Sequence, residues 1–235
     1  MQNRSNRRGR LESDFLDTVE VQETRKYLEK KKVSLFFKRI FDLIFSILLL
    51  LFLLPIFVLL AISIKLEDGG PVFYRQERVT KNGRLFKIFK FRTMVVNADK
   101  IGTLVTVQKD NRITKIGSRI RKYRLDELPQ LLNIVIGDMS FVGTRPEVVK
   151  YVKAYTNEMK TTLLLPAGVT SLSSIEFKDE DTIIEKYTKL GEDVDDIYIH
   201  RILPQKMISN IAYIHRFNFL SDIKIMVLTI IKVVK

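Results

Sequence analysis

Hydrophobic and polar positions divide the chain into zones. From Leu43 to Ile64 no residue is charged, a run of about 22. As one helix rising 1.5 Å per residue it would reach about 33 Å, enough to cross a hydrocarbon core. Pro55, near the middle, removes a backbone hydrogen bond and clashes with the preceding turn, so the pattern predicts a kink there. Each half is then about 18 Å long and too short to cross alone. Two topologies fit: a kinked single span, and a re-entrant helix that enters, bends at Pro55 and leaves by the same face.

Cations flank the run on both sides. Lys30, Lys31, Lys32, Lys38 and Arg39 precede it; Lys65, Arg75, Arg78, Lys81 and Arg84 follow. Cationic flanks prefer the cytoplasmic side, and here both ask for it, although a long C-terminal domain can override that preference. Residues 1–34 open with the polar stretch Gln2 to Arg10 and continue with mixed charge. They are expected to form a partly disordered extension lying on anionic lipid. The charged stretch before the apolar run and the lack of a small-residue cleavage site argue against a secretory signal.

Beyond residue 66 the period changes. Asp68-Gly69-Gly70-Pro71 is a breaker, and Val72 to Val79 and Leu85 to Arg92 read as two strands joined through Lys81-Asn82-Gly83. Ile113, Ile116 and Ile120 with basic residues between predict an amphipathic helix over Arg112 to Arg124, suited to a headgroup layer or to a core with a solvated basic face. Leu128 to Ile136 predicts a short apolar helix closed by Gly137. An acidic stretch from Glu176 to Asp196 and a helical tail from Ile202 to Lys235 complete the chain. The expectation is an α+β, mainly helical protein: extension 1–34, membrane helix 35–66 and cytoplasmic domain 67–235.

Charge and composition narrow the chemistry. The 235 residues carry a formal net charge of +13, which calls for a polyanionic partner: nucleic acid, anionic membrane or phosphorylated substrate. With no cysteine, thiolate nucleophiles and Cys-based zinc sites are excluded. His200 and His215 lack partners at metal-ligand spacing, so any metal would be a hard cation on oxygen ligands. No nucleic-acid module is recognisable.

Two constellations stand out. In Arg124-Leu125-Asp126-Glu127-Leu128-Pro129, adjacent carboxylates separate a basic helix from an apolar one. Asp126 could be an N-cap and Glu127 a favourable first-turn charge. Alternatively one is a nucleophile or metal ligand assisted by the other, since a carboxylate can attack phosphorus once cations neutralise the phosphate oxygens. In Gly143-Thr144-Arg145-Pro146-Glu147, proline keeps Arg145 out of helical geometry, and a fixed guanidinium suits bidentate phosphate binding.

These blocks carry a resemblance. Lys38-Arg39-Ile40-Phe41-Asp42, Gly70 to Val79, Lys90-Phe91-Arg92-Thr93-Met94, Leu125 to Leu131 and Gly137 to Gly143 occur in the order found in the bacterial sugar transferases. The chain resembles their small, monotopic form, the polyprenyl-phosphate phosphoglycosyl transferases, from about Lys38 onward. The resemblance implies a re-entrant helix in the bacterial inner membrane with a catalytic domain on the cytoplasmic face. It implies transfer of a phosphosugar from a UDP-sugar to polyprenyl (undecaprenyl) phosphate with release of UMP. Asp126 would be the nucleophile and Glu127 its assistant, both near Mg²⁺. Lys90, Arg92 and Arg145 would contact phosphate, and Asp222 matches an acidic family position. Glu147 and Thr170 to Phe177 are candidates for sugar selectivity. UDP-sugar, polyprenyl phosphate and anionic lipid are the expected partners, nucleic acid is not, and self-association stays open. The competing reading is a membrane-tethered nucleic-acid-binding or scaffold protein. Two departures appear: Leu54 stands where serine often precedes the proline, and Thr144 replaces the first proline of Pro-Arg-Pro.

Overall fold

The computed structural model describes residues 9–98, 110–177 and 180–234; most of the polar Gln2 to Arg10 stretch, and Lys235 of the tail, lie outside the described residues. Helices dominate, joined by two small sheets. Helix α1 (Val19–Glu29) begins at Thr18, whose hydroxyl accepts from the Val21 amide. Val21 and Leu28 are buried in a cluster with Ile214 and Phe217, while Leu11 and Phe15 pack on a second cluster. The leading segment, expected to be a partly disordered extension on anionic lipid, packs on the domain from Gly9 onward. Leu11, Phe15, Leu16, Val21 and Leu28 find core contacts while Val19 and Val33 stay exposed, a division that mixed charge conceals in the sequence.

Helix α2 (Lys32–Asp68) runs 37 residues without interruption through Pro55. The helix continues on both sides of the proline at which a bend is expected. The proline deletes one N–H, yet Leu49, Leu50 and Leu53 before it and Phe57 and Leu60 after it pack on the same domain. Tertiary contacts on both sides keep the segment helical where propensity alone would end it.

The domain grips α2 almost from end to end. Lys38 Nζ donates to the Val142 carbonyl at 2.8 Å and pairs with Asp222 at 2.5 Å. Arg39 donates to the carbonyls of Ile134 and Val135 at 2.6 and 3.0 Å. At the far end Glu67 accepts from the Ile116 amide at 3.1 Å, and Asp68 pairs with Arg92. The outer face is bare: Leu48, Leu51, Phe52, Leu59 and Leu66 are all exposed. An apolar face of this length needs lipid or a partner to cover it.

Strands β1 (Phe73–Thr80) and β2 (Arg84–Phe91) form the expected antiparallel hairpin, with Tyr74 opposite Lys90 and Glu77 opposite Lys87. Asn82 and Gly83 take positive φ of 57° and 69° in the turn, the role an Asn-Gly pair fills at little cost. Helix α3 (Lys115–Lys122) buries Ile120 beside Phe91 and Ile64 while Arg119 and Lys122 face outward. It is shorter than its apolar spacing suggests. Helix α4 (Gln130–Ile136) ends at Gly137.

A second sheet has no sequence signal of its own, because its strands are four residues long. Strand β3 (Met139–Val142) pairs in parallel with β4 (Ala167–Thr170), across helices α5 (Val149–Val152) and α6 (Asn157–Lys160). Helices α7 (Leu172–Glu176), α8 (Glu180–Thr188) and α9 (Val194–Ile197) follow. A π-helical turn, Tyr198–Ile202, leads into α10 (Leu203–His215), and α11 (Phe219–Val234) closes the fold. His200 and His215 are exposed on this last part.

Candidate active site

The acid pair sits where α3 stops. Arg124 adopts left-handed backbone, φ 53°, and Leu125–Glu127 make a single 3₁₀ turn. Pro129 then opens α4 without a side-chain cap, so neither carboxylate is spent on capping that helix. Leu125 and Leu128 pack on the Ile64, Phe91 and Ile120 cluster and pin the turn from both sides.

One helical turn onward, the fully buried Asn133 joins α4 to β2. Its side chain accepts from the Phe89 amide at 2.8 Å and donates to the Lys87 carbonyl at 3.0 Å, as a neighbouring strand would. That clasp brings Lys90 against the acids. Lys90 Nζ lies 2.9 Å from Glu127 Oε1, and Arg145 Nη2 lies 3.5 Å from the same oxygen.

Arg145 arrives on the loop that leaves β3. The Gly143 amide donates to the Thr170 carbonyl at 3.1 Å, and the Gly168 amide to the Thr144 carbonyl at 2.9 Å. A Cβ on Gly143 would stand 2.3 Å from the Pro166 oxygen, and one on Gly168 2.2 Å from the Gly143 nitrogen. Only glycine at both positions lets the segments approach this closely. Strand pairing through Thr144 thus restrains the loop at the position where the family has an additional proline. On the other side, Arg78 donates to the Pro146 carbonyl at 3.3 Å and the Val79 amide to the Glu147 carbonyl at 3.0 Å.

The two carboxylates differ electrically. Burial pushes Glu127 up, but Lys90 and Arg145 outweigh it and hold the group at about 2, so it is an anion throughout the physiological range. Asp126 is raised above its ordinary 3.8, chiefly by burial, with Lys90 opposing and Glu127 adding to the rise. The charge of Glu127 in turn raises Arg145. Among the described residues Asp126 has no ion-pair partner, so a caged carboxylate stands next to an uncommitted one.

Arg92 and Asp222 do not join this group. Arg92 is buried, with Nε donating to the Pro71 carbonyl at 2.6 Å and both terminal nitrogens to Asp68 at 2.6 and 2.5 Å. Expected at phosphate, it clamps the end of α2 to the end of β2 in this structure, because Asp68 offers its fork a bidentate partner. Asp222 has Lys38 at 2.5 Å on one oxygen and the Tyr213 hydroxyl at 2.8 Å on the other, tying α11 to α2. Glu147, a selectivity candidate, is buried with its carboxylate on Tyr198. Sequence reasoning missed Asn133, whose signal is a lone polar residue inside the apolar run Leu131 to Ile136.

No group of three acidic or histidine side chains capable of holding a metal gathers among the described residues. A divalent ion would rest on Asp126 and Glu127 alone, with substrate oxygens and water completing its shell. Mg²⁺ suits such a site, since it commonly uses one or two carboxylates plus phosphate oxygens.

An acidic pair with two cations beside it thus stands next to a long apolar helix. The chain belongs to the bacterial sugar transferase family, whose model matches residues 33–235. It is 43% identical over 131 residues to a Bacillus subtilis (strain 168) protein provisionally named as an undecaprenyl-phosphate N-acetylgalactosaminyl 1-phosphate transferase, covering 56% of this chain and 73% of that one. It is 39% identical over 158 residues to the exopolysaccharide production protein ExoY of Sinorhizobium fredii (strain NBRC 101917 / NGR234), covering 61% and 70%. With the UDP-glucose:undecaprenyl-phosphate glucose-1-phosphate transferase of Escherichia coli (strain K12) it shares 34% identity over 205 residues, covering 85% of this chain and 40% of that one. The chain therefore matches well under half of this last relative's length.

Proposed function

We propose that this protein transfers a phosphosugar from a UDP-sugar to polyprenyl phosphate, releasing UMP and beginning assembly of a bacterial surface glycan. The observation that carries the reading is the uncommitted Asp126 beside a Glu127 caged by Lys90 and Arg145. Names of relatives support the substrate classes, since they include UDP-glucose:undecaprenyl-phosphate and undecaprenyl-phosphate galactose transferases.

An Asp126 oxygen attacks the β-phosphorus of the UDP-sugar, forming an acyl-phosphate bond. The bond from that phosphorus to the bridging oxygen breaks, and UMP leaves with the electron pair. A phosphate oxygen of the polyprenyl carrier then attacks the same phosphorus, and the carboxylate of Asp126 departs, restored. Covalent catalysis of this kind splits one transfer into two easier ones. Lys90 and Arg145 bind and orient phosphate oxygens and offset the charge of the diphosphate. Glu127, held as an anion, is unsuited to donating a proton at neutral pH; it keeps the two cations aimed at the reacting centre. Mg²⁺, held by Asp126 and Glu127, would supply further neutralisation of phosphate charge.

One substrate is dissolved in water and the other is a lipid, so the site must work at headgroup depth. The continuous grip of the domain on α2 from Lys38 to Asp68 favours a helix that enters and leaves on one face. A spanning helix would need about 30 Å of its length free of the water-soluble domain. The catalytic domain then lies on the cytoplasmic face of the inner membrane, where nucleotide sugars are made. The test is a UMP-release screen of UDP-sugars with undecaprenyl phosphate and Mg²⁺ in detergent. One donor should yield UMP and a lipid-linked diphosphosugar. If no activated sugar ever leaves a phosphosugar on the protein, the reading fails.

A further inference from the structure

A second buried polar group lies directly behind Arg145. Glu147 is 5% exposed, Tyr198 4% and Lys206 5%. The Tyr198 hydroxyl donates to Glu147 Oε1 at 2.6 Å, and Lys206 Nζ donates to that hydroxyl at 3.1 Å and to Glu180 at 2.9 Å. Arg78 Nη1 stands 3.8 Å from the other Glu147 oxygen. β1 and the π-helical turn, distant in sequence, thus converge on the one carboxylate carried by the loop after β3, with Lys206 of α10 behind the Tyr198 hydroxyl.

A buried carboxylate is costly unless it is paired and hydrogen-bonded. Here the pairing also does something for the neighbouring loop. Glu147 is separated from Arg145 by Pro146 alone, whose ring fixes its own φ and restricts the residue before it. Holding Glu147 therefore fixes the backbone from which the Arg145 side chain reaches Glu127. Tyr198 owes its position to the π-helical turn Tyr198–Ile202, a local widening that recurs at functional sites. Its ring stacks on Tyr151 with centroids 4.5 Å apart, which leaves the hydroxyl directed by packing.

We propose that Tyr198, backed by Lys206, is a positioning residue for the transfer reaction: through Glu147 it sets the aim of Arg145 on the nucleotide-sugar phosphates. The inference rests on the proposed function and adds to it a control point on the π-helical turn that leads into α10. The phenol is the switchable part, because the ring can be kept while the hydroxyl is removed.

The experiment measures UMP release against UDP-sugar concentration for the full chain in detergent, using the donor found for the wild type. Tyr198→Phe should raise the donor KM about tenfold, as loss of a hydrogen bond to a charged group would. Its kcat at saturating donor should stay within about threefold and its melting temperature within a few degrees. Glu147→Gln should raise KM similarly, and the double variant should be no worse than the poorer single one, since both act through one bond. If Tyr198→Phe does not fold, Lys206→Met carries the test, with a KM rise of about threefold expected because it loosens the same hydroxyl. An unchanged KM in an active variant overturns the proposal, as does a fall in kcat that merely follows lost stability. A wild type that releases no UMP from any UDP-sugar overturns the proposed function instead, and this inference with it.

Discussion

Two buried lysine–carboxylate pairs in this molecule look alike on paper and differ in what they leave unfinished. Lys38 and Asp222 join α2 to α11, with side chains 5% and 4% exposed. Tyr213 and the Val142 carbonyl take the remaining bonding capacity nearby. Lys90 and Glu127 are 22% and 16% exposed, and Arg145, which shares Glu127, is 40% exposed. The first pair is sealed and saturated. The second stays partly exposed and stands next to Asp126, which has no ion-pair partner among the described residues. A strut is complete in itself, whereas a site retains charge and hydrogen-bonding capacity for a substrate.

The largest break in that comparison comes from Asp126→Asn. Removing a nucleophile should lower UMP release by at least about a thousandfold. It should also abolish labelling of the protein by a phosphosugar. Thermal unfolding should barely change, because Asp126 has no ion-pair partner among the described residues. Retained turnover would remove Asp126 from its assigned role.

Asp222→Asn should do the reverse. Leaving Lys38 buried without its partner is expected to cost about 3–5 kcal/mol of stability. The melting temperature in detergent should fall by roughly 10 °C or more. The fraction that stays folded should keep its donor KM. Replacing both residues together by Met and Leu should recover much of the loss, since an apolar pair of similar size avoids the unpaired charge. A normal melting temperature with a raised KM would move Asp222 from strut to site.

How far the sequence reveals these differences depends on what each signal measures. The hairpin, the helix closed by Gly137 and the apolar run were legible because local chemistry dictates them: Asn82-Gly83 accepts positive φ, and Leu43 to Ile64 excludes charge. Asp126, Glu127, Lys90 and Arg145 were legible as a motif, and the fold brings the last three within ion-pair distance. Partner choice was not legible. Whether Arg92 meets a phosphate or Asp68 depends on where α2 ends in space, and whether Glu147 faces a sugar or Tyr198 depends on a π-helical turn some fifty residues away. Pro55 reads as a kink because propensity is local, while the contacts that keep α2 helical on both sides of it are tertiary.

Glu127→Gln sharpens the contrast from inside the site. Folding depresses Glu127 from 4.5 to about 2. Its ion pairs therefore stabilise the fold fully above the unfolded value, and that contribution is lost as pH falls through about 2. Catalysis should show an acid limb that belongs to Asp126, whose folded value is raised above 3.8 and which must be ionised to attack. Because Glu127 contributes to that rise, Glu127→Gln should shift the limb to lower pH while reducing kcat/KM by about tenfold to a hundredfold through misdirected cations. A limb that vanishes in the variant would assign the titration to Glu127 instead.

The smallest effect is expected at a third pair, intermediate between strut and site. Arg92 is 6% exposed by side chain but its partner Asp68 is 31% exposed, so water can solvate whichever charge is left on the open side. Arg92→Met keeps the buried stem and removes the fork. The Pro71 carbonyl and Asp68 then lose their donors near the surface, where such losses cost about 1 kcal/mol or less. If Arg92 acts as a clamp, the donor KM should change by no more than about twofold, since a lost phosphate contact would instead cost the larger share of a charge-assisted bond. A tenfold rise in KM with an unchanged melting temperature would return Arg92 to the substrate, and would show that its bond to Asp68 is exchanged for phosphate during turnover.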